Sequence, residues 1–191
     1  MAENKIKYGL SNVHYCTATF DGEKTVTYGP VKAVKGAVNL SISPVGEINE
    51  FYADDVIYYE SETNEGYEGE LEFASMPEDF EKDALNIAES QTDKVLVETS
   101  STEKKYYALF FEFKGDVKAV RHVLYYCSAS RYDVKGKTKG KSIEPNTDTI
   151  KFKAFPHPVS GNIKAKTGST TTSEAYDAWY SKVWEKDSVV L

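Results

Sequence analysis

Long apolar runs are missing from this chain, and so are most of the parts from which catalytic sites are built. No stretch of the 191 residues approaches the roughly 20 consecutive apolar positions of a membrane-spanning helix. The opening Met1-Ala2-Glu3-Asn4-Lys5 lacks the apolar centre of a signal peptide, so the chain is expected to be intracellular when made. There are two cysteines, Cys16 and Cys127, in strand-like segments and at no metal-binding spacing. Buried thiols are expected there rather than a disulfide or redox pair. Histidine is scarce: His14 and His122 fall inside strand-like segments and read as packed or half-exposed sheet residues, and His157 sits between two prolines with no carboxylate near it in sequence. Neither a phosphate-cradling glycine loop nor a nucleophile elbow is present. Catalytic, cofactor and metal sites are therefore left without candidates, and the chain is not expected to be an enzyme.

Acids, by contrast, are abundant, and two carboxylates suffice for glycoside hydrolysis. Here they are too many and too evenly spread along one face; such a stripe reads as a surface field. The net charge of −7 conceals a segregation. Residues 1–46 carry 5 basic and 3 acidic side chains, residues 47–103 carry 2 and 18, and residues 104–191 carry 16 and 9. An acidic middle between basic flanks suits either an intramolecular pairing of surfaces or a head-to-tail contact between copies.

The stretch Tyr67-Glu68-Gly69-Glu70-Leu71-Glu72-Phe73 alternates strictly. Side chains on a strand alternate in direction, so Tyr67, Leu71 and Phe73 form one face and the three glutamates the other. Val56–Glu60 precedes it across a polar loop, 61–66, and the two are expected to form a hairpin. Glu68, Glu70 and Glu72 either stand in solvent or pair with Lys151 and Lys153, which alternate with Ile150, Phe152 and Ala154 in another strand. Further strands are expected over 10–20, 24–28, 37–43, 48–53, 95–98, 106–113, 119–129 and 163–166. The pair 106–113 and 119–129 is the most apolar and the expected centre of the core; in the second, Arg121, Val123, Tyr125 and Cys127 are expected on the face opposite Val120, His122, Leu124 and Tyr126. Between Phe73 and residue 95 the period changes. Ser75 with Glu78 fits a capping box, and Phe80, Ala84, Leu85 and Ala88 make an apolar stripe, predicting a helix over 76–89. Ala175, Trp179 and Val183 predict a second short helix over 172–184. The fold class is thus mainly β: an antiparallel β-sandwich or half-barrel of about nine strands, with one flanking amphipathic helix and a short C-terminal helix. One domain, 1–191, is expected, with a polar arm at 2–9 and a basic loop at 131–141. That loop carries Arg131, Lys135, Lys137, Lys139 and Lys141 but little aromatic content beyond Tyr132, and the chain as a whole is acidic. A solvated loop or a contact with an acidic surface is favoured over DNA binding.

Several stretches, in order, resemble the major tail protein (tail tube protein) family of long-tailed, non-contractile bacteriophages, the siphovirus type. They are Lys7-Tyr8-Gly9-Leu10 with Val13-His14-Tyr15, Gly36-Ala37-Val38-Asn39-Leu40-Ser41, Phe51-Tyr52-Ala53-Asp54-Asp55 and Gly66-Tyr67-Glu68-Gly69-Glu70-Leu71. Pro77 to Phe80, Ser142 to Thr149 and Tyr176-Asp177-Ala178-Trp179-Tyr180 complete the set. The resemblance implies a tail-tube subunit that forms hexameric rings, stacked into a hollow conduit through which the genome passes without specific binding. The implied partners are further copies of the chain, a tape-measure protein, tail chaperones, and baseplate and tail-terminator proteins, with no membrane and no cofactor. The implied location is the virion tail, after assembly in the host cytoplasm. The immunoglobulin-like C-terminal domain that some relatives carry is not expected here.

On this reading Glu60, Glu68, Glu70 and Glu72 are candidates for the lumen wall. Lys5, Lys7, Phe51, Tyr52, Asp54, Asp55, Arg131, Lys135, Lys137 and Lys139 are candidates for ring contacts. The alternative from a different class is a monomeric β-sandwich binding module, for example for glycans.

Overall fold

The computed structural model describes residues 3–138 and 145–186. In chain order the elements are β1 (Lys7–Phe20), β2 (Val26–Tyr28), β3 (Lys32–Ala33), β4 (Ala37–Val45), β5 (Ile48–Ala53), β6 (Val56–Glu62), β7 (Gly66–Phe73) and α1 (Glu78–Ala84). They continue with β8 (Ala88–Glu89), β9 (Leu96–Val97), β10 (Tyr106–Gly115), β11 (Val120–Ala129), β12 (Asp148–Phe155), β13 (Lys164–Lys166), α2 (Ser173–Asp177) and a 3-10 turn at Ala178–Tyr180. Among the described residues, nine strands form one antiparallel sheet. Its path is β2-β1-β10-β11-β12-β7-β4, with β3 beside β1 and β13 beside β11. The sheet curls until β4 comes back against β1, so the half-barrel expected from the alternation is present, with its two short helices.

Alternate residues of the central strands are buried on opposite faces. Val13, Tyr15, Leu71, Phe73, Tyr107, Leu109, Phe111, Leu124, Ile150 and Phe152 fill the concave side. Phe80 of α1 closes it, wholly buried, with ring centroids 5.0 Å from Tyr15, 5.3 Å from Tyr107 and 5.8 Å from Phe73. Asp83, one turn on, accepts hydrogen bonds from Tyr15 Oη (2.8 Å) and Lys32 Nζ (2.6 Å), tying α1 to β1 and β3. Burial pulls its carboxyl upward, but those two donors outweigh burial and hold it below the usual range. On the convex side Cys16, Ala108, Phe110, Val123 and Tyr125 lie under Trp179 and Val183 of the C-terminal segment. Both thiols are free and buried, and burial pushes Cys16 up to about 12.

A buried ionic network fixes that segment to the sheet. Glu112, 6% exposed, pairs with Arg121 at 3.2 Å. It also accepts from Asn12 Nδ2 (2.6 Å), Tyr180 Oη (3.0 Å) and Ser11 Oγ (3.3 Å). Arg121 donates to the Tyr176 carbonyl and lies 3.8 Å from the centroid of the Tyr176 ring.

Four expectations are corrected. First, β6 pairs with β5, not with β7; β7 lies between β4 and β12. Second, the helix is shorter than 76–89: Ser75 does not cap it, the cap position is Pro77, and the Met76 amide is instead satisfied by Asp148 Oδ2 at 2.9 Å. Asn86, at φ 57°, ends it in the left-handed conformation, which places Ala88 in β8. Third, the C-terminal helix is one turn of α-helix, capped by the Thr172 side chain, followed by a 3-10 turn. Fourth, strict alternation puts Cys127 beside Val123, but a bulge between the Tyr107 and Leu109 pairings turns Cys127 to the side of Leu124.

Candidate assembly surface

The feature that the corrected topology exposes is a ribbon. The β4–β7 ladder ends at the Val45–Gly66 pair, yet the hydrogen bonding continues beyond it. Glu65 N–H donates to Val45 O, and Thr63 N–H to Glu47 O, both at 2.9 Å. Glu47 N–H donates to Thr63 Oγ1 at 2.8 Å. From Ile48–Glu62 to Ala53–Val56 the two strands pair only with each other. Asp54 and Asp55 close the ribbon with φ of 53° and 62°. Positive φ at both central residues is the type I′ geometry that matches strand twist, and aspartate tolerates it better than most side chains. Those two aspartates are therefore the tip of a hairpin and not the lead-in to one.

The ribbon has almost no core of its own. Ile48, Phe51, Tyr52, Val56, Ile57, Tyr58 and Tyr59 are each 49–73% exposed. An isolated two-stranded hairpin is marginally stable in water, and a contiguous apolar patch of this kind marks a contact surface. Residues 47–62 also hold six carboxylates and no cation. Glu50 stands directly opposite Glu60, an unfavourable like-charge pair. Among the described residues none of the six has an ion-pair partner within 4 Å, and Glu50 accepts only from Tyr52 Oη, at 2.5 Å.

The acidic stripe lies elsewhere, on the outer face of β7. Its register sets Glu70 opposite Lys151, Glu68 opposite Lys153 and Glu72 opposite Thr149, with Ser41, Ser43 and Asn39 of β4 on the other flank. Glu70 and Lys151 form a long, exposed ion pair at 3.6 Å. Glu72 accepts from Thr147 Oγ1 at 2.6 Å, and Glu68 is exposed with no ion pair among the described residues. The stripe is thus neither wholly free nor wholly paired. Glu60 does not extend it, because β6 belongs to the ribbon.

The basic candidates divide. Arg131 pairs with Glu98 at 3.0 Å and Lys135 with Asp133 at 3.0 Å, both exposed. Lys137 is exposed, and Lys139 and Lys141 lie outside the described residues. Lys5 and Lys7 are not part of a free arm. Asn4 Oδ1 accepts from Val117 and Lys118 N–H at 2.9 Å, Lys5 N–H donates to Asp116 Oδ1 at 2.9 Å, and Lys7 already belongs to β1. Residue 2 of that arm lies outside the described residues.

Packing at the β10–β11 turn brings Lys5 and Lys7 together with Lys114, Lys118 and Lys166. Sequence reading missed the last three, since they are isolated in the chain and only the pairing of β1, β10, β11 and β13 makes them neighbours.

The histidines are packed, as expected for His14 and His122. His14 stacks on Tyr180 and His122 on Phe111, with centroids 4.4 and 4.9 Å apart. His157 is buried, its Nδ1 facing the Val159 and Ser160 amides at 3.3 and 3.1 Å. Burial, with Lys164, Lys166 and Lys7 nearby, lowers His122 to about 4. The unfolded chain then takes up a proton on this residue near pH 6.5, while the folded chain does not until about 4. Stability is therefore complete above the upper value and falls as pH drops between them. Urea midpoints at pH 7 and pH 4.5 should differ less in His122→Phe than in the parent; an unchanged difference would contradict this.

No family model and no curated protein matches the chain. Among solved structures the fold is similar to a chain of the anti-feeding prophage baseplate, determined by cryo-electron microscopy with sixfold symmetrisation. The identity is 10%, 90% of this chain and 100% of that chain are covered, and the TM-score is 0.45. A likeness at that level fixes neither family nor function. Among the described residues no helix is long and apolar enough to cross a membrane, and no group of three or more His, Cys, Asp and Glu side chains could hold a metal ion.

Proposed function

We propose that this protein is a structural, non-enzymatic subunit of a bacteriophage tail tube, forming hexameric rings that stack into a conduit for the genome. The observation that carries the reading is the ribbon: an apolar, acidic hairpin held by two strands alone, projecting from a well-packed half-barrel. It agrees with the ordered set of sequence likenesses to siphovirus-type major tail proteins. A repeated heterologous contact closes a ring when its rotation closes, and stacking then continues along the axis. Copies of the chain, a tape-measure protein, tail chaperones and the baseplate and terminator proteins are the partners of that reading, and the virion tail its location. Sedimentation of the purified protein over a wide concentration range tests it: rings and tubes are expected. A monomer at every concentration that is retained by a glycan column would instead establish the binding-module alternative.

In this tube we set the β4–β7–β12 face toward the lumen. It presents three glutamates against two lysines, a nearly compensated lining that neither grips nor strongly repels a passing duplex. Changing Glu68, Glu70 and Glu72 to Lys makes all five charges on the two strands positive. Virions carrying that triple change are expected to assemble but to eject DNA several-fold more slowly. Ejection at the parental rate would contradict the placement.

A further inference from the structure

We infer that the acidic hairpin of one copy seats on the lysine cluster at the β10–β11 turn of the neighbouring copy within a ring. The inference rests on the ring reading above and names the contact that closes the ring.

Three observations converge. The first is charge. Residues 47–62 carry six carboxylates without an ion-pair partner among the described residues, with Asp54 and Asp55 at the tip. Around the β10–β11 turn, Lys5, Lys7, Lys114, Lys118 and Lys166 are exposed, and none has a carboxylate within 4 Å among the described residues. The hairpin carries only acids, and the turn sets its lysines against two acids, Glu3 and Asp116, with the Lys118 ammonium 3.5 Å from the Tyr176 ring centroid; each surface keeps a net charge that the other would relieve.

The second is shape. Beside the turn lies a trough of about 450 Å³ whose lining includes Val117, Ala119 and Val120, with Lys118, Lys166 and one acid, Glu3, also on its wall. An apolar floor beside ammonium groups suits a strand tip on which Tyr52 and Ile57 are paired beside two aspartates. Aromatic burial at the centre and ion pairs at the rim is the usual division of labour in a protein contact.

The third is direction. β4 is antiparallel to β7, β7 to β12, and β12 to β11. β4 therefore runs opposite to β11, toward the end of the sheet where β10 turns into β11. The ribbon continues β4 from the Val45–Gly66 pair, which the register sets level with Phe155 and so with Tyr126, midway along β11; from there roughly 25 Å at ~3.3 Å per residue carries its tip to the level of the β10–β11 turn. A copy displaced along the strands would offer the opposite end of its sheet to the hairpin. A copy rotated about an axis along the strands offers its lysine turn at the right height. The contact is thus lateral and heterologous, which is what a closed ring requires.

Two variants test this. Asp54→Lys with Asp55→Lys reverses the tip, and Lys118→Glu with Lys166→Glu reverses the trough. Each alone is expected to raise the concentration at which rings form by about tenfold or more. Circular dichroism should show both folded: the changed side chains are exposed, and lysine at the positive φ of positions 54 and 55 strains only the ribbon turn, an effect that mixing the two variants separates from charge. Mixed in equal amounts, they should assemble again, since the two kinds alternate with every contact complementary, as an even-numbered ring permits.

Carbodiimide coupling of parental protein, half of it labelled with ¹⁵N, supplies a second readout. Coupled peptides joining Asp54 or Asp55 to Lys118 or Lys166 should contain both labels. Rings that neither variant impairs, a mixture that stays apart, or tip aspartates coupled only to other lysines would overturn the contact while leaving the ring reading intact. Parental protein that forms no ring at any concentration would overturn the ring reading itself.

Discussion

Replacing residues 47–64 with an Asn-Gly turn is expected to abolish ring formation while leaving the subunit folded. The excised strands pair only with each other, and seven of their large apolar side chains are about half exposed or more. The main sheet keeps every pair up to Val45–Gly66, and Asn-Gly closes an antiparallel ladder in the geometry that Asp54-Asp55 now adopts. The folding free energy should change by less than about 1 kcal/mol, as for surface changes away from packed or capped features. It should even rise slightly if relief from the Glu50–Glu60 opposition outweighs the lost strand pairing. Assembly, by contrast, should be lost at all accessible concentrations. Thermal melting and sedimentation velocity on the same sample separate the two effects. A shortened chain that assembles as the parent does would remove the ribbon from the account.

The second large effect falls on stability. Glu112→Ala is expected to destabilise the fold by about 3–5 kcal/mol, the cost of breaking one side of a buried ion pair. The loss strands Arg121, whose side chain is 18% exposed, and leaves Asn12 Nδ2 and Tyr180 Oη without their acceptor. Because the network holds the C-terminal turn, protection of the 173–183 amides should fall more than that of β12. Glu112→Gln keeps one amide oxygen, enough for Asn12 on the Oε1 side or for Tyr180 and Arg121 on the Oε2 side but not for both, and should cost less than alanine. Urea titration followed by tryptophan fluorescence reports both, since Trp179 sits in the affected layer. Equal losses for the two substitutions would show that charge, and not the hydrogen-bond set, dominates.

The main sheet was legible because its strands carry strong periodicity. Leu71, Phe73, Ile150 and Phe152 are buried as their alternation requires, and Glu70 faces Lys151 as two opposed stripes suggest. The ribbon was not legible for a related reason. Val56-Ile57-Tyr58-Tyr59 has the composition of a core strand, and composition cannot say whether the surface that buries it belongs to the same chain. The signal that could have found the hairpin was Asp54-Asp55, a two-residue turn between segments of similar length.

Long-range satisfaction of single groups was equally out of reach. Asp148 meets the Met76 amide from 72 residues away and displaces the local capping box. Asn4 staples a polar segment that looked like a loose arm to the turn at 116–118. The lysine cluster comes from topology alone, assembling side chains drawn from positions 5 to 166. Charge segregation along the chain did point to surfaces of opposite sign, and the acidic hairpin and the lysine turn are the two on which the inferred contact rests.

Electron microscopy of the purified protein at high concentration, together with immunolabelling of virions, tests the tail-tube assignment most directly. Six-membered rings stacking into tubes, and label along the whole tail shaft, are expected. A protein that remains monomeric at every concentration, with no label on the shaft, would contradict it.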